Sequence, residues 1–383
     1  MTRLGHDESE LQQRGALWTA REIAQQPAML RQTHARLAAD KDALERFLQP
    51  LRARAAMRVV LTGAGTSAFI GECLAPYLAA KLARRVEAIA TTDLVSAPFL
   101  HLEAETPTLL VSFGRSGNSP ESVAAVDLAN RFVSEIHHLA ITCNPQGALA
   151  RAAATAGNGM TILLPEETHD QSFAMTSSFS CMLYAALVAL AGVEDLRGER
   201  IAQAVDAVIA TQADAVKELA AKGHERVVYL GSHIFKGLAR EAALKLLELT
   251  DGGVIAMHDS SLGFRHGPKT VVNDRTLVVM FLSNHAYTRR YDLDLLAEIR
   301  RDGRSGGLLA IAARDDGIPA GTERILIPAM ADAEDVDLLI PYIAAPQMLA
   351  FEASLKRGLS PDNPNVSGTV SRVVQGVRIH PFE

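Results

Sequence analysis

The stretch TLLVSFGRSGNSPESVAAVDLANRF, residues 108–132, decides the fold. It opens on the apolar run TLLV, which suits a strand buried on both faces. It ends on SPESVAAVDLANRF, where apolar residues recur at helical spacing between polar ones. Between them lies SFGRSGNSPES, residues 112–122, with four serines, two glycines and one arginine. Strand, loop and helix in that order form the unit of a parallel α/β sheet. The loop then sits at the strand's carboxyl end, where open sheets bind ligands.

The unit recurs along the chain. MRVVLTG (residues 57–63) leads into the helical run GTSAFIGECLAPYLAAKLARR, and VEAIATTDL, HHLAITCN and MTILLP read as further strands. The pattern restarts after residue 222: RVVYLGS, VIAMHD, TLVVMFL, GGLLAIAA and RILIPA read as strands, with KGLAREAALKLLELT and LDLLAEIRR as helices. Ahead of the first sheet, residues 18–51 are helical, with Ile23, Leu30, Leu37 and Leu44 on one face and Pro50 as the stop. The region from Glu194 to about Lys222 reads as a helical connector. Two consecutive αβ runs of similar rhythm point to an internal duplication. The expected division is an N-terminal helical segment (1–50), a first domain (51–195), a connector (196–222) and a second domain with a C-terminal tail (223–383).

The composition excludes several classes of function. Of 383 residues, 48% are hydrophobic and 21% charged, which suits a globular protein with a real core. A formal net charge of −6 with no dense Lys/Arg block argues against nucleic acid or an anionic membrane as partner. Cys73, Cys143 and Cys181 are scattered, without metal-ligand spacing, as in a reducing compartment. The opening residues are too charged for a signal peptide, and the longest apolar run, FSCMLYAALVALAGV, is shorter than the ~20 residues of a membrane span. The expectation is a soluble, cytoplasmic protein.

Two loops carry ligand chemistry. GAGTSA, residues 63–68, follows MRVVLT, and SFGRSGNSPES follows TLLV. Each supplies glycines for close backbone approach and hydroxyls at a helix start, whose free N–H groups and dipole favour an anion such as phosphate. Plain helix capping explains either loop alone. A dinucleotide site is the rival, since Gly63, Gly65 and Ala68 satisfy GxGxxG/A. Its acid is poorly placed, because Glu87 opens the next strand and Asp93 lies in a TTDL turn.

In the second half, AREAALKLLELT sets Glu241, Lys245 and Glu248 at spacings of four and three, on one helical stripe. A surface ion pair accounts for Glu241 and Lys245. The leucines around Glu248 suggest partial burial, which would suit a base. SLGFRHGPK holds His266 in a rigid loop before Gly267 and Pro268, placed to move a proton near neutral pH. His137 and His138 open a strand and face opposite ways, so they cannot chelate. No metal motif and no cofactor are expected.

Together LTGAGTSAFIGE, SFGRSGNSPESVAAV, FAMTSSF, REAALKLLELT, GFRHGPK and SGTVSRVVQGVRIHP resemble the tandem SIS-domain (sugar isomerase) proteins of the AgaS family. The likeness runs from about Trp18 to Pro381. It implies two SIS domains, each a parallel sheet flanked by helices in three layers, and deamination with isomerisation of galactosamine 6-phosphate. By similarity to the isomerase half of glucosamine-6-phosphate synthase, Ser67, Ser116 and Ser119 would hold the 6-phosphate, with Gly65, Thr66, Gly114 and Arg115 alongside. Glu248 would be the base between C1 and C2, His266 the ring-opening group, and Lys245 and Glu241 their supports. The resemblance further implies a homodimer or higher homo-oligomer, in which His266 reaches a neighbouring subunit's site. Two positions depart from the pattern. Gly114 replaces a phosphate-loop serine, and Gly368 stands where the synthase has an active-site lysine. Competing readings are an aldose–ketose isomerase without deamination and a non-catalytic phosphosugar sensor.

Overall fold

The computed structural model describes residues 2–155, 157–192, 197–374 and 376–382. The connector's first residue, 196, the region's start at Glu194 and the domain end at 195 lie outside these. The chain forms two compact units. One comprises Ala28–Asp170, Ser177–Gly198 and Gly368–Glu383; the other comprises Met1–Pro27, Gln171–Thr176 and Glu199–Ser367.

The first-sheet unit contains β1 (Arg58–Thr62), β2 (Val86–Ala88), β3 (Thr108–Gly114), β4 (Ile136–Thr142) and β5 (Gly159–Leu163). All pair in parallel, in the order β2-β1-β3-β4-β5. Helices α1 (Thr66–Leu82) and α2 (Pro120–Phe132) follow β1 and β3. The residues that named the fold are its core: Val60, Leu110, Ala125, Val126 and Ala129 form one buried cluster. Each Val or Leu side chain among them contributes about 1.5–3 kcal/mol by leaving water. VEAIATTDL does not stay extended throughout. Its strand ends at Ala88 and Thr91–Ser96 turns helical, with the Thr91 N–H donating to the Gly63 carbonyl at 2.8 Å.

The second-sheet unit repeats the layout with β6 (Arg226–Gly231), β7 (Ile255–Asp259), β8 (Thr276–Phe281), β9 (Gly307–Ala312) and β10 (Glu323–Leu326), again all parallel. The order is β7-β6-β8-β9-β10, the same permutation as in the first sheet. Here α3 (Ile234–Leu249) follows β6 and α4 (Ala286–Asp302) follows β8.

The turn after the first strand is built alike in both units. A β-carbon at Gly63 would lie 2.7 Å from the Ser67 carbonyl carbon, and one at Gly231 would lie 2.9 Å from that of Phe235. Both glycines let the helix start close over the strand. Two residues on, Gly65 has φ 55° and ψ −128°, and His233 has φ 59° and ψ −123°. Glycine adopts this conformation freely, whereas histidine is strained in it.

The crevice at the carboxyl end of the second sheet is occupied by the protein itself. The buried Asp292 carboxylate accepts from Ser232 Oγ at 2.5 Å, Ser261 Oγ at 2.6 Å and the Ser283 N–H at 3.1 Å. Burial raises its pKa above the usual carboxylate value, against the lowering effect of these donors.

Two expectations about helices need correction. Pro50 does not stop its helix, which runs from Lys41 to Arg52. So near the end, the missing N–H costs one bond rather than a run of them. The sequence analysis also assigned no element to residues 335–356, which form a 22-residue helix, α5 (Asp335–Lys356), despite Pro341 and Pro346 inside it. This helix is long and apolar enough to cross a membrane, yet its apolar window is wholly buried inside the unit. It packs along α3 as a core helix.

Candidate active site

Phosphate-loop candidates gather on two adjacent strands of the first sheet. Thr62 and Ser112, the last positions paired between β1 and β3, are in register. Gly65, Thr66 and Ser67 therefore start their helix beside the loop that carries Gly114, Arg115, Ser116 and Ser119. The strand order reverses between β1 and β3, which is the switch point where such sheets open a crevice.

The serine loop is stitched in place. Gly117 has φ 65°, so the chain reverses there without strain. Ser116 Oγ accepts from the Asn118 N–H at 3.3 Å, and the Ser116 carbonyl accepts from Asn144 Nδ2 at 2.9 Å. Asn118 Oδ1 accepts from the Ala148 N–H at 2.9 Å, while Ser119 Oγ meets Ser122 Oγ at 2.6 Å. Pro120 takes the first helical position, where its missing N–H costs nothing. Thr66, Ser67 and Arg115 are buried, and Ser116 and Ser119 are half-buried. The loop is thus pre-shaped, with hydroxyls at a helix start.

The base candidates share the second-sheet unit. Lys245 and Glu241 are fully buried, with Nζ 3.5 Å from Glu241 Oε1. Lys245 Nζ donates to Glu248 Oε2 at 2.5 Å, and the Glu248 side chain is 24% exposed. The expected surface pair is corrected, since Glu241 and Lys245 are internal, while Glu248 is partly buried as expected and is the member that reaches solvent. α3 packs against α5 as well as against β6 and β7, so little of its surface is left to water. His266 is exposed on a loop between two short 3₁₀ turns, Gly263–Arg265 and Pro268–Val271. The loop is pinned to α4 through Arg265 to Glu298 at 2.8 Å and Lys269 to Asp302 at 2.8 Å.

Sequence reasoning missed a further group in the first-sheet unit. Asp170 is fully buried and accepts from Ser178 Oγ at 2.5 Å, the Ser178 N–H at 2.9 Å and Ser177 Oγ. Beside it His169 is half-buried, and the Arg372 guanidinium donates to the Asp170 carbonyl. The signal was available in THDQSFAMTSS, where an acid precedes a serine pair by seven and eight residues. Cys143, also buried here, has its thiol pushed up to about 12, mainly by burial, so it is no nucleophile at neutral pH.

An Escherichia coli protein named D-galactosamine-6-phosphate deaminase AgaS is 47% identical over 370 residues, 96% of this chain and 96% of its own. The chain belongs to the AgaS family. The Shewanella AgaS, of the same name, is 44% identical over 376 residues, covering 97% of this chain and 94% of its own. The chain also matches the SIS domain over residues 53–191. A crystal structure described as tagatose-6-phosphate ketose/aldose isomerase from Escherichia coli superposes on it with a TM-score of 0.90 at 44% identity, covering 96% of this chain and 97% of the other.

Proposed function

We propose that the chain is a deaminating isomerase of cytoplasmic amino-sugar catabolism, converting D-galactosamine 6-phosphate and water to D-tagatose 6-phosphate and ammonia. The observation that carries the reading is the Glu248 carboxylate, fixed by a fully buried lysine yet open to solvent, as a base that must meet a substrate has to be. The names of the full-length relatives support the substrate.

In this reading Ser67, Ser116 and Ser119, with the N–H groups of Gly65, Thr66 and Gly114 and the charge of Arg115, hold the 6-phosphate. His266 moves a proton between O5 and O1 to open the ring. Glu248 takes the proton from C2 and returns it at C1, leaving a ketimine at C2. Water adds to that carbon, and ammonia leaves. Lys245 and Glu241 keep Glu248 oriented. With a hydroxyl at C2 the same proton transfer interconverts aldose and ketose, the activity named for the Escherichia coli structure.

We read residues 51–195 and 223–383 as tandem SIS domains joined by the connector at 196–222 and preceded by the helical segment 1–50. The identical strand permutation and the matched turns at Gly63 and Gly231 support this. We also read the working form as a homodimer. Among the described residues the exposed His266 side chain has no hydrogen-bond or ion-pair partner, as befits a group that serves a neighbouring subunit. Mixing Glu248→Gln with His266→Asn chains, each inactive alone, restores activity if sites are shared. Silence after demonstrated subunit exchange would place both residues in one chain.

The test of function is ammonia release from galactosamine 6-phosphate, glucosamine 6-phosphate and their N-acetylated forms. We expect one ammonia per tagatose 6-phosphate from the first. Ketose formed from hexose 6-phosphates with no ammonia from any amino sugar would leave only the isomerase.

A further inference from the structure

An N-cap serine ordinarily turns its hydroxyl back on its own helix, where it accepts from the second or third helical N–H. Ser119 is the N-cap of α2, and its side chain makes no such bond. Its Oγ lies instead 2.6 Å from Ser122 Oγ, one turn along the helix. The backbone still closes that turn, since the Ser122 and Val123 N–H groups donate to the Ser119 carbonyl at 3.0 and 3.2 Å. Only the hydroxyl is withheld from the cap.

Ser122 is the anchored member of the pair. It is 3% exposed, whereas Ser119 is half-buried beside the loop. A serine inside a helix commonly donates to a carbonyl one turn back. Among the described residues the Ser122 hydroxyl has Ser119 Oγ as its only hydrogen-bond partner.

The direction of this bond follows from the guest. A phosphate monoester presents three strong acceptor oxygens and about −1.5 to −2 charges at pH 7. Ser119 can serve such a group only as a donor, so its own oxygen has to accept from Ser122. A hydroxyl carries one proton and two lone pairs, which allows two bonds to run in one direction. A donor behind Ser119 polarises its O–H and strengthens the bond it gives to the anion. With the order reversed, Ser119 would turn lone pairs towards the phosphate.

We propose that Ser122 is a positioning residue of the phosphate site: it holds the Ser119 hydroxyl off the helix cap and directs its proton at the phosphoryl group of the sugar phosphate. The proposal rests on the phosphosugar reading above. Ser122 touches no substrate atom and acts through Ser119 alone.

The test uses the full-length protein and ligands that cannot react: inorganic phosphate, galactitol 6-phosphate and galactitol, followed by titration calorimetry. Ser122→Ala removes the hydroxyl, and Ser122→Thr keeps it. Losing one neutral link is expected to weaken both phosphate ligands about 3- to 10-fold in Ser122→Ala. Ser122→Thr should stay within about twofold of the unaltered protein. Galactitol binding should not change in either. Ser119, once released, can cap α2, so the melting midpoint of Ser122→Ala should not fall. Action through Ser119 also makes the two positions non-additive, so Ser119→Ala with Ser122→Ala should bind phosphate within about twofold of Ser119→Ala alone. A merely structural Ser122 would lower the midpoint and add its own loss to that of Ser119. Phosphate affinity of Ser122→Ala within about twofold of the unaltered protein overturns the proposal, as do an equal loss for galactitol and additive losses in the double variant. If the unaltered protein prefers galactitol 6-phosphate no more than galactitol, the phosphosugar reading itself falls, and Ser122 with it.

Discussion

Glu248→Gln should lose turnover by about a thousandfold or more while sugar-phosphate affinity stays near that of the unaltered protein. The amide matches the carboxylate in shape, and its oxygen can still accept from Lys245, now 2.5 Å from Glu248 Oε2. Lys245 also keeps Glu241 at 3.5 Å, so the helix loses no internal counter-ion. What the amide cannot do is accept the C2 proton, and that transfer occurs only in the transition state. The phosphate-loop candidates belong to the first-sheet unit and are untouched. Two measurements read the outcome: the rate of ketose 6-phosphate formation, and exchange of the C2 hydrogen with deuterated solvent. Activity within about threefold of the unaltered enzyme would remove Glu248 from the role.

Lys245→Met should act on stability rather than on chemistry alone. Lys245 and Glu241 are both fully buried, and the substitution takes away a cation facing an internal carboxylate. Breaking a buried pair by deleting one partner costs about 3–5 kcal/mol, because the other charge stays desolvated. Glu248 loses its orienting donor at the same time, so activity should fall even where the protein remains folded. Adding Glu241→Gln to Lys245→Met removes the carboxylate that faced the lysine and should recover part of the stability without recovering the rate. Urea midpoints of the two variants read this directly. A single-variant cost below about 1 kcal/mol would mean that the pair does not organise the helix.

The sheets were legible because buried parallel strands write themselves as apolar runs, and TLLV opens β3, which runs on through the first three residues of the loop as read from sequence. The neighbourhood of the two hydroxyl-bearing loops was legible too, since each follows a strand and the two strands pair in register. Exposure along α3 was not. A stripe of Glu241, Lys245 and Glu248 looks amphipathic, and only what packs against α3, a long helix among it, decides which member is buried. That helix, α5, was itself hidden by Pro341 and Pro346, whose local cost is overridden by burial of nearly its whole length. Arg372 and Asp170 escaped for a related reason. Their partners are backbone carbonyls and serines distant in sequence or unmarked by any pattern, and periodicity carries no trace of such bonds.

Asp292 makes the ends of the two sheets electrostatic opposites. In the first-sheet unit the crevice offers hydroxyls and a guanidinium. In the second the hydroxyls of Ser232 and Ser261 are already closed on a carboxylate. An incoming oxyanion would have to compete with an acceptor tethered to α4, at an effective concentration that a free metabolite does not reach. Two frames of one design therefore differ in capacity, and the ligand stoichiometry to expect is one sugar phosphate per chain, not two.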